Sequence, residues 1–141
     1  MIQVTVLTVS DRSARGERPD ASGPAIQQFV RDALGWTVAQ TAIVPDDAAA
    51  ICSTLAEWCD EAKVNLIFTT GGTGFAPRDV TPEATRAILD REAPGLAEAM
   101  RAASLKVTPH AMLTRAVCGI RGRTLIVNVA HIIEMSETDG A

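Results

Sequence analysis

The sequence predicts an α/β fold: a single domain in three layers, α/β/α, built around a mostly parallel sheet. Three observations carry this expectation. The chain has 141 residues, close to the roughly 150 of one domain, so a single core is expected. Strand-like and helix-like segments alternate along it, the succession that builds βαβ units with right-handed crossovers and helices on both faces of a sheet. The first strand-like run, Ile2 to Val9, is rich in β-branched residues and carries no charge, as suits a strand covered on both faces.

The other elements follow in order. Ser10 to Asp20 is polar, with Gly16 and Pro19, and reads as a long loop. Ser22 is placed as N-cap and Pro24 in the first turn of a helix with Ile26, Phe29, Val30, Ala33 and Leu34 on one apolar stripe and Gly35 at its C-terminal end. Trp36 to Val44 reads as a second strand, ended by Pro45, after which either Asp46 or Asp47 can cap a helix. That helix buries Ile51, Cys52, Leu55, Trp58, Cys59 and Ala62. Val64 to Thr70 is a third strand, closed by Gly71-Gly72-Thr73-Gly74. Thr81-Pro82-Glu83 then supplies the cap, N1 proline and acidic first-turn residue of another helix. A less regular helix follows Pro94-Gly95, and Val117 to Val129 reads as a hairpin turning at Arg121-Gly122.

Composition narrows the function. At 47% hydrophobic and 21% charged the chain is an ordinary globular protein, expected to bury roughly two-thirds of its unfolded surface. Thirteen basic against 17 acidic residues give a net charge of −4, which argues against attraction to phosphate backbones or anionic lipid. With no Tyr, three Phe and two Trp a platform for stacking bases is hard to build, so no nucleic-acid partner is expected. Cys52, Cys59 and Cys118 suit neither a disulfide framework nor a four-ligand zinc site, and a reducing cytoplasm fits them. No stretch approaches 18 apolar residues and no leader is visible, so neither export nor a membrane span is expected.

Ligands of open α/β sheets settle beyond the carboxyl ends of the strands. The loops there hold Ser10, Asp11 and Arg12 after the first strand, Asp46 and Asp47 after the second, and Gly71 to Gly74 with Arg78 and Asp79 after the third. The predicted topology sets them along one rim, as a single site. The glycine run can bring backbone N–H groups close to a phosphate, with the Thr73 hydroxyl as a further donor. It lacks both the lysine of a Walker loop and the third glycine of a dinucleotide fingerprint. A tight strand-exit turn is the alternative reading, and Arg78 beside it points to phosphate. Asp46 and Asp79 both end βα passages and could together coordinate a magnesium ion bridging phosphate oxygens. Asp46 could equally be a helix cap, whereas Asp79, two residues before Thr81, has less structural reason to be acidic. His110 and His131 are isolated and read as surface or packing residues. Ser10 and Thr114 have no evident base, so no catalytic triad is indicated; Ser10 could be a loop cap, and Asp11 with Arg12 a local ion pair.

With these loops assembled, the chain resembles the MogA/MoaB-like molybdopterin adenylyltransferases of molybdenum-cofactor synthesis, and most closely the gephyrin-type G domain. The resemblance runs from residue 4 to about 128. It rests on Thr8-Val9-Ser10-Asp11-Arg12, Asp20-Ala21-Ser22-Gly23-Pro24, Val44-Pro45-Asp46, Thr70-Gly71-Gly72-Thr73-Gly74-Phe75, Pro77-Arg78-Asp79-Val80-Thr81-Pro82-Glu83-Ala84-Thr85, Ala93-Pro94-Gly95 and Gly119-Ile120-Arg121-Gly122. It implies transfer of AMP from Mg-ATP to the terminal phosphate of molybdopterin with release of pyrophosphate, Mg2+ as cofactor, a homotrimer, and possible fusion to a molybdate-inserting partner domain. Carried over by motif, Asp46 and Asp79 serve metal, nucleotide and catalysis, and Gly71 to Gly74 surround the substrates. Thr114 stands where relatives often have serine; the reading adds Arg78 to grip phosphate, Ser10, Asp11 and Thr114 to line the cleft, and Arg12 and Thr73 among the substrate-binding residues. Such chemistry needs no side-chain nucleophile, because the phosphate of molybdopterin is itself the nucleophile. The resemblance assigns residues 1–128 to the molybdopterin-binding and adenylyltransferase domain. Residues 129–141 form a divergent tail in place of the family's Pro-Gly loop and C-terminal helix, which should uncover apolar surface at a cost on the order of several kcal/mol. Two other readings stand beside it: a non-catalytic pterin-binding or scaffolding module, favoured by that tail, and a nucleotide pyrophosphatase.

Overall fold

The computed structural model describes residues 1–130; His131 and the expected loss of the C-terminal helix fall outside the described residues. Six strands form one sheet in the order β2-β1-β3-β6-β5-β4. They are β1 (Gln3–Val9), β2 (Thr37–Val44), β3 (Leu66–Thr70), β4 (Arg91–Glu92), β5 (Cys118–Arg121) and β6 (Thr124–Val129). The four strands from β2 to β6 run parallel, while β5 and β4 complete the sheet as antiparallel neighbours. The hairpin turns at Gly122, whose φ of +59° suits glycine. Strand β6 includes Val129, so the ladder continues one residue into the segment that the sequence sets apart as a tail, and Ala130 packs on Ala111.

Helices α2 (Ser22–Asp32) and α5 (Pro94–Leu105) cover one face, and α3 (Ala48–Asp60) and α4 (Thr81–Ile88) the other. The pleat decides which side chain meets which pair. Leu7, Val9, Ile67 and Ile126 meet Ile51, Leu55 and Trp58 on the α3–α4 side, while Val4, Leu66 and Val127 meet Val30, with Ile26 and Met100, on the other. The three layers are therefore those the alternation predicts. Among the described residues no helix is long and apolar enough to cross a membrane.

Several local expectations change. The loop after β1 contains one helical turn, α1 (Asp11–Ala14), capped by Ser10, whose hydroxyl accepts the Ser13 N–H at 3.2 Å. Ser22 lies inside α2, and Asp20 accepts the Gly23 N–H instead, because a carboxylate three residues upstream reaches an orphan amide of the first turn. On α2 only Val30 of the expected stripe is buried. Phe29 stays 55% exposed and Ala33 is exposed, since the helix meets the sheet along a narrower line than its sequence pattern allows. Ala62 falls past the end of α3 and is exposed. Thr81 does not cap α4 either: Val80 holds that position and the Thr81 hydroxyl donates to the Gly71 carbonyl at 2.9 Å.

Beneath the carboxyl ends of β3 and β6 lies a buried polar group. Asn128 donates to the Thr69 hydroxyl at 2.9 Å and the Thr85 hydroxyl at 3.2 Å, and its Oδ1 accepts the Val117 N–H at 3.0 Å. All three side chains are fully buried. Asn128→Ala leaves the Val117 amide without its acceptor and two hydroxyls without their donor, an expected loss of about 2–4 kcal/mol. Urea unfolding checks this, and a loss below about 1 kcal/mol would show that the network is not holding α4 to the sheet.

Candidate functional site

The parallel strands point their carboxyl ends to one rim, and three chain passages meet there. Asp47, not Asp46, caps α3, accepting the Ala50 N–H at 2.9 Å. That resolves the choice the sequence left open and frees the Asp46 carboxylate for another role. Asp46 instead pairs reciprocally with Asp11: the Asp11 N–H donates to Asp46 Oδ2 and the Asp46 N–H to Asp11 Oδ1, both at 2.9 Å. The ends of β1 and β2 are thus tied by four groups of two residues.

Arg78 crosses to the same cluster. Its guanidinium forks onto Asp11, Nε to Oδ2 at 3.1 Å and Nη2 to Oδ1 at 2.9 Å, so Asp11 pairs with Arg78 and not with Arg12. Arg12 is exposed on α1. Asp79 folds back within its own loop, Oδ2 accepting the Ala76 N–H at 2.9 Å. Both candidate metal-binding carboxylates close on the glycine turn. A Cβ on Gly72 would lie 3.2 Å from Asp46 Oδ1, and one on Gly74 would lie 2.8 Å from Asp79 Oδ2. Among the described residues neither Asp46 Oδ1 nor Asp79 Oδ1 accepts a hydrogen bond from protein. The turn itself is shaped by Gly71 and Gly72, at φ +97° and +70°. Thr73 is buried beneath it and receives the Thr114 hydroxyl at a long 3.4 Å. A cavity of about 260 Å³ adjoins the turn on the α2 side, lined among others by Thr8, Ser10, Asp20, Ser22, Thr70 and Gly71.

Electrostatics separate the two paired aspartates. Hydrogen bonding to Arg78, then to the Asp46 amide, holds the Asp11 carboxyl below its usual value. Burial pushes Asp46 up, aided by the neighbouring charges of Asp11 and Asp79 and opposed by the Asp11 amide. The stability contribution of Asp11 is therefore present at neutral pH and lost as pH falls through its lowered folded value, whereas the raised Asp46 favours folding on its protonated, acid side. A carboxyl-detected titration of the metal-free protein is expected to find Asp46 above 3.8 and Asp11 below it. The reverse order would contradict this burial assignment.

Ser10, Asp11, Asp46, Gly71 to Gly74, Thr73, Arg78, Asp79 and Thr114 are thus brought together. Sequence reading missed Arg115. Its backbone N–H donates to the Thr73 carbonyl at 2.8 Å, its Nε to the Gly74 carbonyl at 2.8 Å, its Nη2 to the Asp79 carbonyl at 2.7 Å, and its Nη1 to Glu83. Nothing in the run Leu113-Thr114-Arg115-Ala116 signals this, because every acceptor is at least 32 positions away in the chain. Asp20 was likewise missed as a bridge: it also accepts the Thr8 hydroxyl at 2.7 Å. His110 is exposed, and Cys59 and Cys118 are buried.

A family described as a probable molybdopterin binding domain matches residues 5–132. The molybdopterin adenylyltransferase of Escherichia coli is 43% identical over 129 residues, 91% of this chain and 66% of that protein. The molybdenum cofactor synthesis protein cinnamon of Drosophila melanogaster is 45% identical over 124 residues, 88% of this chain but 21% of that protein. The chain therefore spans from about a fifth to two-thirds of these relatives. A crystal structure of the molybdopterin biosynthesis enzyme MoaB of Thermus thermophilus superposes with a TM-score of 0.86 at 51% identity, covering 92% of this chain and 81% of the other. With that family matched over residues 5–132 and the fold shared at a TM-score of 0.86, the chain belongs to the family of molybdenum-cofactor biosynthesis proteins built on the molybdopterin binding domain.

Proposed function

We propose that this chain transfers AMP from Mg-ATP to the terminal phosphate of molybdopterin, releasing pyrophosphate. The observation that carries the reading is the approach of the Asp46 and Asp79 carboxylates to one glycine turn. The carboxylates of Asp11, Asp46 and Asp79 neighbour one another, with Arg78 forked onto Asp11 and the charge of Arg115 paired with Glu83. Such an excess of negative charge suits a nucleotide that arrives with its divalent cation and disfavours a bare triphosphate.

Among the described residues no group of three or more His, Cys, Asp or Glu converges as a metal cage. Magnesium held by one or two carboxylates and completed by phosphate oxygens and water needs none, and the free Oδ1 atoms of Asp46 and Asp79 fit that role. Bound there, the ion would neutralise charge on the phosphates. The backbone N–H groups of the glycine turn would hold phosphate oxygens, whereas the Thr73 hydroxyl, expected from the sequence as a further donor, is buried beneath the turn against Thr114. Arg78, tied to Asp11, would orient that carboxylate and its reciprocal partner Asp46. In the reaction a molybdopterin phosphate oxygen attacks the α-phosphorus of ATP, one P–O bond forms, the bond to pyrophosphate breaks, and pyrophosphate leaves. The protein supplies position and field, not a covalent intermediate. The same reading includes a homotrimer and, from the greater length of the larger relatives, possible fusion to a molybdate-inserting partner domain.

The test is pyrophosphate release from Mg-ATP with and without molybdopterin. Pterin-dependent release supports the proposal. Pterin binding without release would replace it with a scaffolding role, and release without pterin would replace it with a pyrophosphatase.

A further inference from the structure

We propose that Arg115 is a positioning residue that sets the shape of the glycine turn and the place of Asp79 for the transfer step, a role that rests on the adenylyl-transfer reading above. Four donors of this one residue are spent on the passage that carries the chemistry: its own N–H on Thr73, Nε on Gly74, Nη2 on Asp79, and Nη1 on Glu83 in the first turn of α4. Three of the four acceptors are main-chain carbonyls, two of them reached by the guanidinium, which thus fixes backbone as well as pairing with Glu83.

The consequence follows from the flat trans peptide, in which C=O and N–H point in opposite directions. With the Thr73 and Gly74 carbonyls drawn toward Arg115, the N–H groups of Gly74 and Phe75 are turned away from it. The sheet order puts Arg115, just before β5, on one flank of the turn, and Asp11 and Asp46, after β1 and β2, on the other. Three of the four turn residues are glycines, whose backbone samples many conformations unless held; Thr81 restrains the Gly71 and Gly72 carbonyls, and Arg115 those of Thr73 and Gly74. The planar, forked donor set of arginine reaches two carbonyls and a carboxylate at once, which the point charge of lysine cannot do. The bond to the Asp79 carbonyl extends the same restraint to the backbone that carries the second carboxylate.

Arg121 provides an internal control. It also makes three side-chain anchors, two to Asp60 and one to the Ile88 carbonyl at 2.8 Å, but at the far end of β5 from the glycine turn. The experiment compares Arg115→Ala, Arg115→Lys and Arg121→Ala with the parent chain. Arg115→Ala is expected to lower kcat for pterin-dependent pyrophosphate release about 10²-fold, the scale of a displacement near 1 Å. The KM for ATP should change by less than about threefold. Guanidinium ion at millimolar, non-denaturing concentration should restore part of the rate, Arg115→Lys should restore little, and Arg121→Ala should keep the parent kcat per folded molecule. Amide exchange is read on the same proteins and does not require activity. Arg115→Ala should speed exchange at residues 72–76 about tenfold or more over the parent, and Arg121→Ala should not. If the parent releases no pyrophosphate the functional reading fails, and exchange at residues 72–76 still decides whether Arg115 sets the turn. Unchanged exchange there, or a kcat loss no larger than that of Arg121→Ala, overturns the proposal.

Discussion

Replacing Asp79 by asparagine is expected to slow pterin-dependent AMP transfer by about 10²–10³-fold at saturating Mg-ATP, the usual cost of deleting one preorganised electrostatic group. Fold and turn should survive, because a carboxamide oxygen can still accept the Ala76 N–H that Oδ2 now accepts; only the charge is removed. Asp46→Asn should behave alike for the same reason, its carboxamide oxygen still accepting the Asp11 N–H. The two differ in stability. Burial and the neighbouring carboxylates already disfavour charge at Asp46, so the neutral variant should be as stable as the parent or more so, the trade expected where function holds a charge against its surroundings. Steady-state rates beside thermal unfolding check both. If both variants keep activity within a few-fold of the parent, the carboxylate pair is not the metal-nucleotide site.

Gly71→Ala is expected to give the largest loss of stability, about 3–5 kcal/mol, from a left-handed backbone and a steric collision acting together. Gly71 has φ +97°, and an added Cβ would stand 2.1 Å from the Val9 carbonyl oxygen. Val9 cannot give way cheaply, since β1 is paired on both sides, to β2 and β3. Gly16 isolates the first contribution: it too is left-handed, at φ +74°, but an added Cβ there meets nothing within 4 Å. Gly16→Ala should therefore cost only about 1–2 kcal/mol. Urea unfolding of the two variants decides the matter. Equal losses would mean that the approach of the turn to β1 carries no strain of its own.

Much of this molecule is written locally. The β-branched, uncharged run of β1, the periodicity of α3 and the glycine between β5 and β6 each fix an element through near neighbours, and alternation of the elements fixes the layering. The candidate rim was legible for the same reason: parallel strands deliver the residues after their carboxyl ends to one edge, whatever the helices between them do.

What lay beyond the sequence was every choice made between groups distant in the chain. Asp46 and Asp47 are equivalent as caps on paper. Only the position of α1 beside β2, which offers the Asp11 amide to Asp46, assigned Asp47 to the helix and Asp46 to the rim. Phe29 fits the periodicity of α2, yet only Val30 and Ile26 of that stripe pack on the sheet and Phe29 stays exposed. Arg78 drew notice by adjacency and proved to be held by Asp11, 67 positions away, whereas Arg115 drew none and holds the glycine turn. Periodicity and propensity act over a few residues and so can be read from the chain. The partner of a charged or hydrogen-bonding side chain is selected by geometry and desolvation among all groups that folding brings near, and that selection exists only once the layers have packed.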